Sequence, residues 1–185
     1  MQFAQINGIT LHYQIIGAPE GRPVLVFANS LGTDFRIWRD VIVRLVGEVG
    51  IVLYDKRGHG LSDAPDAPYS IDDHVADLGG LLDHLEIRKA TICGLSVGGM
   101  IALGLFRVRP ELVRSLILCD TAPKIGTEKL WNDRIETVRE KDLSALADPV
   151  MERWFTPDFR RPDNAEYLGY RNMLTRQPVE GYAGT

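Results

Sequence analysis

The pentapeptide Gly94-Leu95-Ser96-Val97-Gly98 lies between an apolar run and a helix-like run. A serine on such a strained strand-to-helix turn stands where an acyl-transfer nucleophile would stand. The glycines fit that turn physically: it crowds Cβ atoms, Gly94 and Gly98 remove two of them, and Gly99 permits close helix packing. Ser96 then projects from the tip, faced by the amide of Val97 and by the positive end of the helix, which together stabilise a developing oxyanion. The structural alternative is a serine N-cap ahead of small helix residues. A second oxyanion donor must come from another loop. The turn Ala28-Asn29-Ser30-Leu31-Gly32-Thr33 follows an apolar run, and the Leu31 amide is its candidate donor, the alternative being a plain turn closed by a cap at Thr33 or Asp34. A serine nucleophile further needs a base and an acid that orients the base.

The elements that must position these groups are legible as patterns. Phe3 to Ile6, a turn at Asn7-Gly8 and Ile9 to Ile16 read as an antiparallel hairpin. Val24-Leu25-Val26-Phe27, Ile51-Val52-Leu53-Tyr54, Thr91-Ile92-Cys93 and Leu116-Ile117-Leu118 are short continuous apolar runs, the pattern of strands buried on both faces. Helical segments alternate with them. Ile37, Val41, Leu45 and Val46 share one face; Ile71, Val75, Leu78, Leu81, Leu82 and Leu85 share another, with Ser70 placed as its cap. Val97 to Arg107 reads as the helix after the serine, with His74 and His84 on the solvent side of the preceding one. Strand alternating with helix implies a mostly parallel sheet with right-handed crossovers, an open α/β architecture. Near Pro123 the rhythm changes. No buried strand follows, and the remainder is charged, amphipathic and punctuated by Pro149, Pro157, Pro162 and Pro178. Residues 1-122 therefore read as a sheet core and 123-185 as a helical cap, with no repeat or low-complexity segment in either.

Composition bounds the partners. The chain has 185 residues, 45% of them apolar, and a formal net charge of -4. That is enough apolar material for a continuous core, with neither a basic stripe for nucleic acid nor an apolar run of membrane-spanning length. The start, Met1-Gln2-Phe3-Ala4-Gln5-Ile6-Asn7-Gly8, lacks the charged and apolar pattern of a secretory signal, so a cytoplasmic location is expected. Cys93 and Cys119 fall in or at the ends of apolar runs and are expected as buried free thiols.

Asn29-Ser30-Leu31-Gly32, Asp55-Lys56-Arg57-Gly58-His59-Gly60-Leu61-Ser62 and Cys93-Gly94-Leu95-Ser96-Val97-Gly98-Gly99-Met100 together resemble the α/β-hydrolase superfamily. The Asn-Ser-Leu-Gly-Thr-Asp loop and Gly-Leu-Ser-x-Gly-Gly-Met are similar to the 3-oxoadipate enol-lactonases of the β-ketoadipate pathway. The other motifs are shared with esterases, cofactor-free haloperoxidases and carbon-carbon hydrolases. The resemblance implies Ser96 as nucleophile, Leu31 and Val97 as oxyanion donors, a small-molecule lactone or ester as substrate, and no metal or organic cofactor. It also implies a triad in the order serine, acid, histidine, the later two members following the cap. All four histidines precede Ser96. His59 lies in a segment to which the superfamily gives a structural role. Asp120, at the end of an apolar run, would orient nothing without a histidine. Leu116-Ile117-Leu118 is patterned as an interior strand with no later strand to cover it. The chain is accordingly expected to be the N-terminal part of a longer polypeptide. In the cap, Trp131 and Arg134 lie one helical turn apart and are candidates to hold the carboxylate arm of such a substrate. Trp154 and Phe155 read as packing residues. A non-catalytic binding protein of the same fold is the alternative of another class.

Overall fold

The computed structural model describes residues 1–17 and 19–185. β1 (Gln2–Ile6) and β2 (Ile9–Ile16) pair antiparallel with Ile6 opposite Ile9. Their two-residue turn puts Asn7 at φ 49° and Gly8 at φ 80°, the left-handed geometry that these residue types tolerate and that matches strand twist. β3 (Val24–Ala28), β4 (Gly50–Tyr54), β5 (Ala90–Leu95) and β6 (Val113–Cys119) complete a six-stranded sheet in the order β1-β2-β4-β3-β5-β6. The pairs β1/β2 and β2/β4 are antiparallel; β3/β4, β3/β5 and β5/β6 are parallel.

The apolar runs are continuous because both faces of the sheet are covered. Val26, Val52 and Ile92 face a core built with Val75, Leu78, Leu81 and Leu82 of α2 (Ile71–His84) and Ile101, Ala102 and Leu105 of α3 (Val97–Val108). Their neighbours of opposite parity, Phe27, Ile51, Leu53 and Cys93, face Trp38 and Ile42 on the other side. α2 starts as its sequence demands: Ser70 and Asp73 form a reciprocal capping box, the Asp73 amide donating to Ser70 Oγ at 3.2 Å and the Ser70 amide to Asp73 Oδ2 at 2.7 Å.

Two patterned segments behave differently from their pattern. A 3-10 turn at Phe35–Trp38 precedes the short α1 (Arg39–Ile42), and the tighter winding shifts the phase of the buried face. Trp38 and Ile42 turn inward, whereas Val41 and Val46, expected to share a face with Ile37, are exposed. In β6, Leu116 packs against the core, but Ile117 and Leu118 are 44% and 45% exposed because, among the described residues, the strand forms the outer edge of the sheet.

After β6 the chain forms α4 (Glu128–Lys141), α5 (Ser144–Trp154), α6 (Ala165–Thr175) and α7 (Val179–Gly184). These bury a core of their own, including Val138, Leu143, Met151, Leu174 and Tyr182, against which Trp154 and Phe155 pack. Among the described residues no helix is long and apolar enough to cross a membrane. α7 is seated on the loop after β4. The Gly60 amide donates to Gln177 Oε1 at 2.8 Å, the Tyr69 amide to the Gly184 carbonyl at 2.8 Å, and the backbones of Gly58 and Gly181 touch directly. A Cβ on Gly181 would overlap the Gly58 peptide. Gly181→Ala is therefore expected to destabilise the fold by about 2 kcal/mol through forced separation of the two backbones. The denaturation midpoint should fall with an unchanged m-value; an unchanged midpoint would show that α7 is not held by this contact.

Candidate active site

Ser96 sits between β5 and α3 at φ 54° and ψ −119°, a conformation that costs a non-glycine residue about 1–3 kcal/mol and persists only when the surroundings enforce it. The enforcement is visible. The Ser96 amide donates to the Cys119 carbonyl at 3.0 Å, and the Ser96 carbonyl accepts from Thr121 Oγ1 at 2.6 Å, so the end of β6 clamps both sides of the residue. A Cβ on Gly94 would overlap the backbone of Gly98 and Gly99, and one on Gly98 would overlap the Ala28 carbonyl. Gly99 lets α3 pack closely against Thr121, the residue two beyond the end of β6. Ser96 occupies the N-cap position of α3, yet its side chain makes no capping hydrogen bond and is half-buried. The hydroxyl is thus uncommitted. The Val97 amide, first in the helix, has no intrahelical acceptor.

The contact of Gly98 with the Ala28 and Asn29 carbonyls sets the start of α3 directly beside the loop that follows β3. That loop is cross-braced. Asn29 Nδ2 donates to the Tyr54 carbonyl at 3.0 Å, and Trp38 Nε1 donates to Asn29 Oδ1 at 2.7 Å. The Ser30 carbonyl accepts from both Lys56 Nζ at 2.7 Å and Thr33 Oγ1 at 2.9 Å. The Gly32 amide donates to His59 Nε2 at 3.0 Å. Asp34 does cap the following 3-10 turn, accepting from the Arg36 amide at 3.0 Å. Between these bonds the Leu31 amide donates to no acceptor among the described residues. Cap and free amide therefore coexist in one loop.

The supports come from the segment after β4. The Asp55 carboxylate accepts from His12 Nδ1 at 2.8 Å, the Phe35 amide at 2.9 Å and the Leu61 amide at 3.0 Å, tying the hairpin to both loops. Arg57 is held by a bidentate pair with Asp77, Nε to Oδ2 at 2.6 Å and Nη2 to Oδ1 at 2.8 Å. His59 Nδ1 faces the Arg57 carbonyl at 3.2 Å, so it carries the proton and leaves Nε2 to accept from Gly32. Burial, aided by the charge of Lys56, holds this imidazole well below its ordinary pKa, in the neutral form the bond to Gly32 requires. Lys56 is completely enclosed; burial pulls its pKa down to about 7 against the opposing pull of Asp55 and Asp34.

None of the histidines hydrogen-bonds Ser96. His12 is spent on Asp55 and His59 on Gly32. His84 is exposed, as expected, but His74 is 2% exposed rather than solvent-facing, because α2 turns it inward beneath the Lys56 segment. Burial and the charges of Lys56 and Arg57 lower its pKa to about 3. Asp120 is exposed at the end of β6. Trp131 and Arg134 do come together: the guanidinium lies 5.0 Å from the ring centroid, with Nη1 at 3.5 Å from Tyr182 Oη. Among the described residues Arg134 has no carboxylate partner, and no group of three or more His, Cys, Asp or Glu is arranged to hold a metal ion. Cys93 is buried and Cys119 partly so, both as free thiols; burial raises the Cys93 pKa to about 12. Sequence reasoning missed Lys56 and Thr121 as braces. Their one signal is position, each following a strand end, which does not distinguish a brace from a solvated side chain.

A strained serine at a strand-to-helix turn, a parallel sheet behind it and a backbone loop beside it define a hydrolase scaffold. Residues 23–148 match the α/β hydrolase fold family, and the chain belongs to it. It is 40% identical over 177 residues to 3-oxoadipate enol-lactonase 2 of Acinetobacter baylyi, an alignment covering 95% of this chain and 65% of that protein. It is 38% identical to 3-oxoadipate enol-lactonase 1 of the same organism, over 96% of this chain and 66% of that one. The chain thus spans about two thirds of the length of these relatives. The crystal structure of the enol-lactonase from Burkholderia xenovorans superposes with a TM-score of 0.94 at 38% identity, over 99% of this chain and 71% of that one.

The depressed pKa of Lys56 makes stability depend on pH. Between about 7 and the ordinary value of 10.5, the unfolded chain holds a proton that the folded chain has lost. Stability then rises with pH at up to about 1.4 kcal/mol per unit. The slope is expected between pH 7 and 9, below the range in which the buried Cys93 thiol opposes it. Denaturant titrations of the wild type and Lys56→Met should differ by this slope; parallel profiles would contradict it.

Proposed function

We propose that the full-length protein hydrolyses a carboxylic ester or lactone through an acyl-enzyme on Ser96, its substrate being 3-oxoadipate enol-lactone and its product 3-oxoadipate. The observation that carries this proposal is the strained backbone at Ser96, which leaves its hydroxyl uncommitted at a helix start where the Val97 amide is unpaired, with the loop that bears the unpaired Leu31 amide packed against that helix start. The likeness to 3-oxoadipate enol-lactonases supports the substrate.

In this mechanism Ser96 Oγ attacks the lactone carbonyl while its proton passes to an imidazole. His12, His59, His74 and His84 do not supply that imidazole: His12 is bonded to Asp55 and His59 to Gly32, His74 is buried with neither ring nitrogen bonded, and His84 is turned to solvent. The amides of Leu31 and Val97 receive the oxyanion. Collapse breaks the ring C–O bond and expels an enolate, a far better leaving group than an alkoxide, so acid assistance matters less than for a simple ester. Water then attacks the acyl-enzyme, and the released enol tautomerises to the 3-oxo acid. Arg134, stacked on Trp131 and without a carboxylate partner among the described residues, is the proposed anchor of the substrate's carboxylate arm. The helical layer of residues 123-185 is the proposed cap.

Ser96→Ala in the full-length protein is expected to lower kcat by about 10⁶-fold without loss of fold. Retention of turnover would remove Ser96 from the mechanism. The enol-lactone should be cleaved with a far higher kcat/KM than nitrophenyl acetate, and the reverse order would make the protein a general esterase. Arg134→Ala should raise KM for the lactone about tenfold, the worth of one charge-assisted hydrogen bond, with kcat nearly unchanged. An unchanged KM would release Arg134 from substrate binding.

A further inference from the structure

The amide N–H of Leu31 and the carbonyl of Ser30 belong to one planar peptide unit, so whatever draws electron density toward the oxygen makes the N–H a stronger donor. That carbonyl accepts twice on the side away from the amide, from Lys56 Nζ at 2.7 Å and from Thr33 Oγ1 at 2.9 Å. Ser30 Oγ, 3.3 Å from Thr33 Oγ1, completes a short relay of hydroxyls onto the same oxygen. The next amide along, Gly32, is consumed by His59. Leu31 is therefore the polarised amide left free in the loop.

We infer that Lys56 is a positioning residue for the reaction: with Thr33, it polarises the Ser30–Leu31 peptide from within the protein and sharpens the Leu31 amide as a donor to negative charge. This deepens the proposed hydrolytic function and rests on it for its catalytic consequence, but the polarisation itself is a property of the folded chain.

The placement of Lys56 argues for such a role. An ammonium wholly enclosed in protein is costly, and replacing one by an apolar side chain of similar shape is often neutral or stabilising. Lys56 makes no ion pair with a carboxylate within 4.0 Å among the described residues; its one direct hydrogen bond goes to the Ser30 carbonyl. The charged and titratable groups around it are Asp55 on its own segment, Asp34 from the loop after β3, His59 and, from α2, His74. Both histidines are held neutral near pH 7, so a change in the peptide in that range reports on Lys56. As an ammonium, Lys56 is the stronger donor, and the polarisation should weaken as it loses its proton on going above about pH 7.

The test is a ¹H–¹⁵N correlation spectrum of the chain, following the amide protons of Leu31, Gly32 and Phe35. In Lys56→Met and in Thr33→Val the Leu31 amide proton is expected to move upfield, more in the former, while Gly32 and Phe35 stay near their wild-type positions. In the wild type the Leu31 proton should also move upfield with a midpoint near pH 7, a step absent from Lys56→Met. If Lys56→Met fails to fold, Thr33→Val decides alone. A Leu31 proton that does not move, or that moves only in company with Gly32 and Phe35 as a loosened loop would, overturns the inference. In the full-length protein, Lys56→Met should lower kcat about tenfold at nearly constant KM, a fraction of the loss caused by deleting an oxyanion donor. Absence of turnover in the wild type would defeat the functional proposal and leave the spectral result to stand or fall by itself.

Discussion

The site depends on a contact between two stretches of backbone. Gly98, at the start of α3, lies against the carbonyls of Ala28 and Asn29 at the end of β3, at a distance that leaves no room for a Cβ. β3 and β5 are parallel neighbours, with Ala28 opposite Gly94, so their carboxyl ends emerge side by side. Parallel pairing alone would leave their loops free to diverge. The absence of a side chain at Gly98 lets the helix start and the loop press together. The helix start that carries the proposed nucleophile then lies beside the loop that carries Leu31.

Holding that arrangement takes a second set of forces, because the turn at Ser96 and the loop after β3 are both irregular. Irregular backbone near a protein interior must find partners for its polar groups. At Ser96 they come from Cys119 and Thr121; in the loop after β3 the residues after β4 supply them, Asp55 taking the Phe35 amide, Lys56 the Ser30 carbonyl and His59 the Gly32 amide. Asp55, Lys56 and His59 are enclosed, and enclosing them costs free energy that apolar residues would not. What they contribute is definition. Each bond has one partner and one geometry, so the loop cannot slide along the sheet without leaving a buried polar atom unsatisfied.

Much of the frame was legible in the sequence because it depends on local rules. Asn7-Gly8 fixes the hairpin, Ser70 marks the start of α2, and the parity of Val26 and Phe27 follows from strand geometry once both faces are covered. The elbow was legible for the same reason, since its glycines answer a local crowding. The failures are equally instructive. Val41 and Val46 share a face with Ile37 only if one helical period runs through Phe35–Trp38, where a 3-10 turn instead changes the phase. The period of α2 turns His74 toward solvent, and nothing in its own helix reveals that Lys56 and Arg57, from the segment after β4, lie near it. Gly99 does allow close packing of its helix, and its partner is Thr121, 22 positions away along the chain. For His74 and Gly99 the deciding neighbour is distant in sequence, and periodicity carries no information about it.

The same distinction separates the two halves of the proposed chemistry. The proposed oxyanion donors are backbone amides and the proposed nucleophile is presented by a backbone turn, so both depend on turns whose residue types declare them. Proton transfer needs side chains brought from separate elements to a common point, and here His12 and His59 are bonded elsewhere, His74 is buried without a partner and His84 faces solvent. His12 with Asp55 forms a buried imidazole–carboxylate pair of the kind that orients a catalytic base, yet its ring lies between Phe3 and Phe35, and Nε2 has no polar partner. A histidine–carboxylate hydrogen bond is therefore no signature of catalysis here. What decides the role is where the far nitrogen points, and in this fold His12 points into aromatic packing while Ser96 is clamped from the opposite side of the sheet order, between β5 and the end of β6.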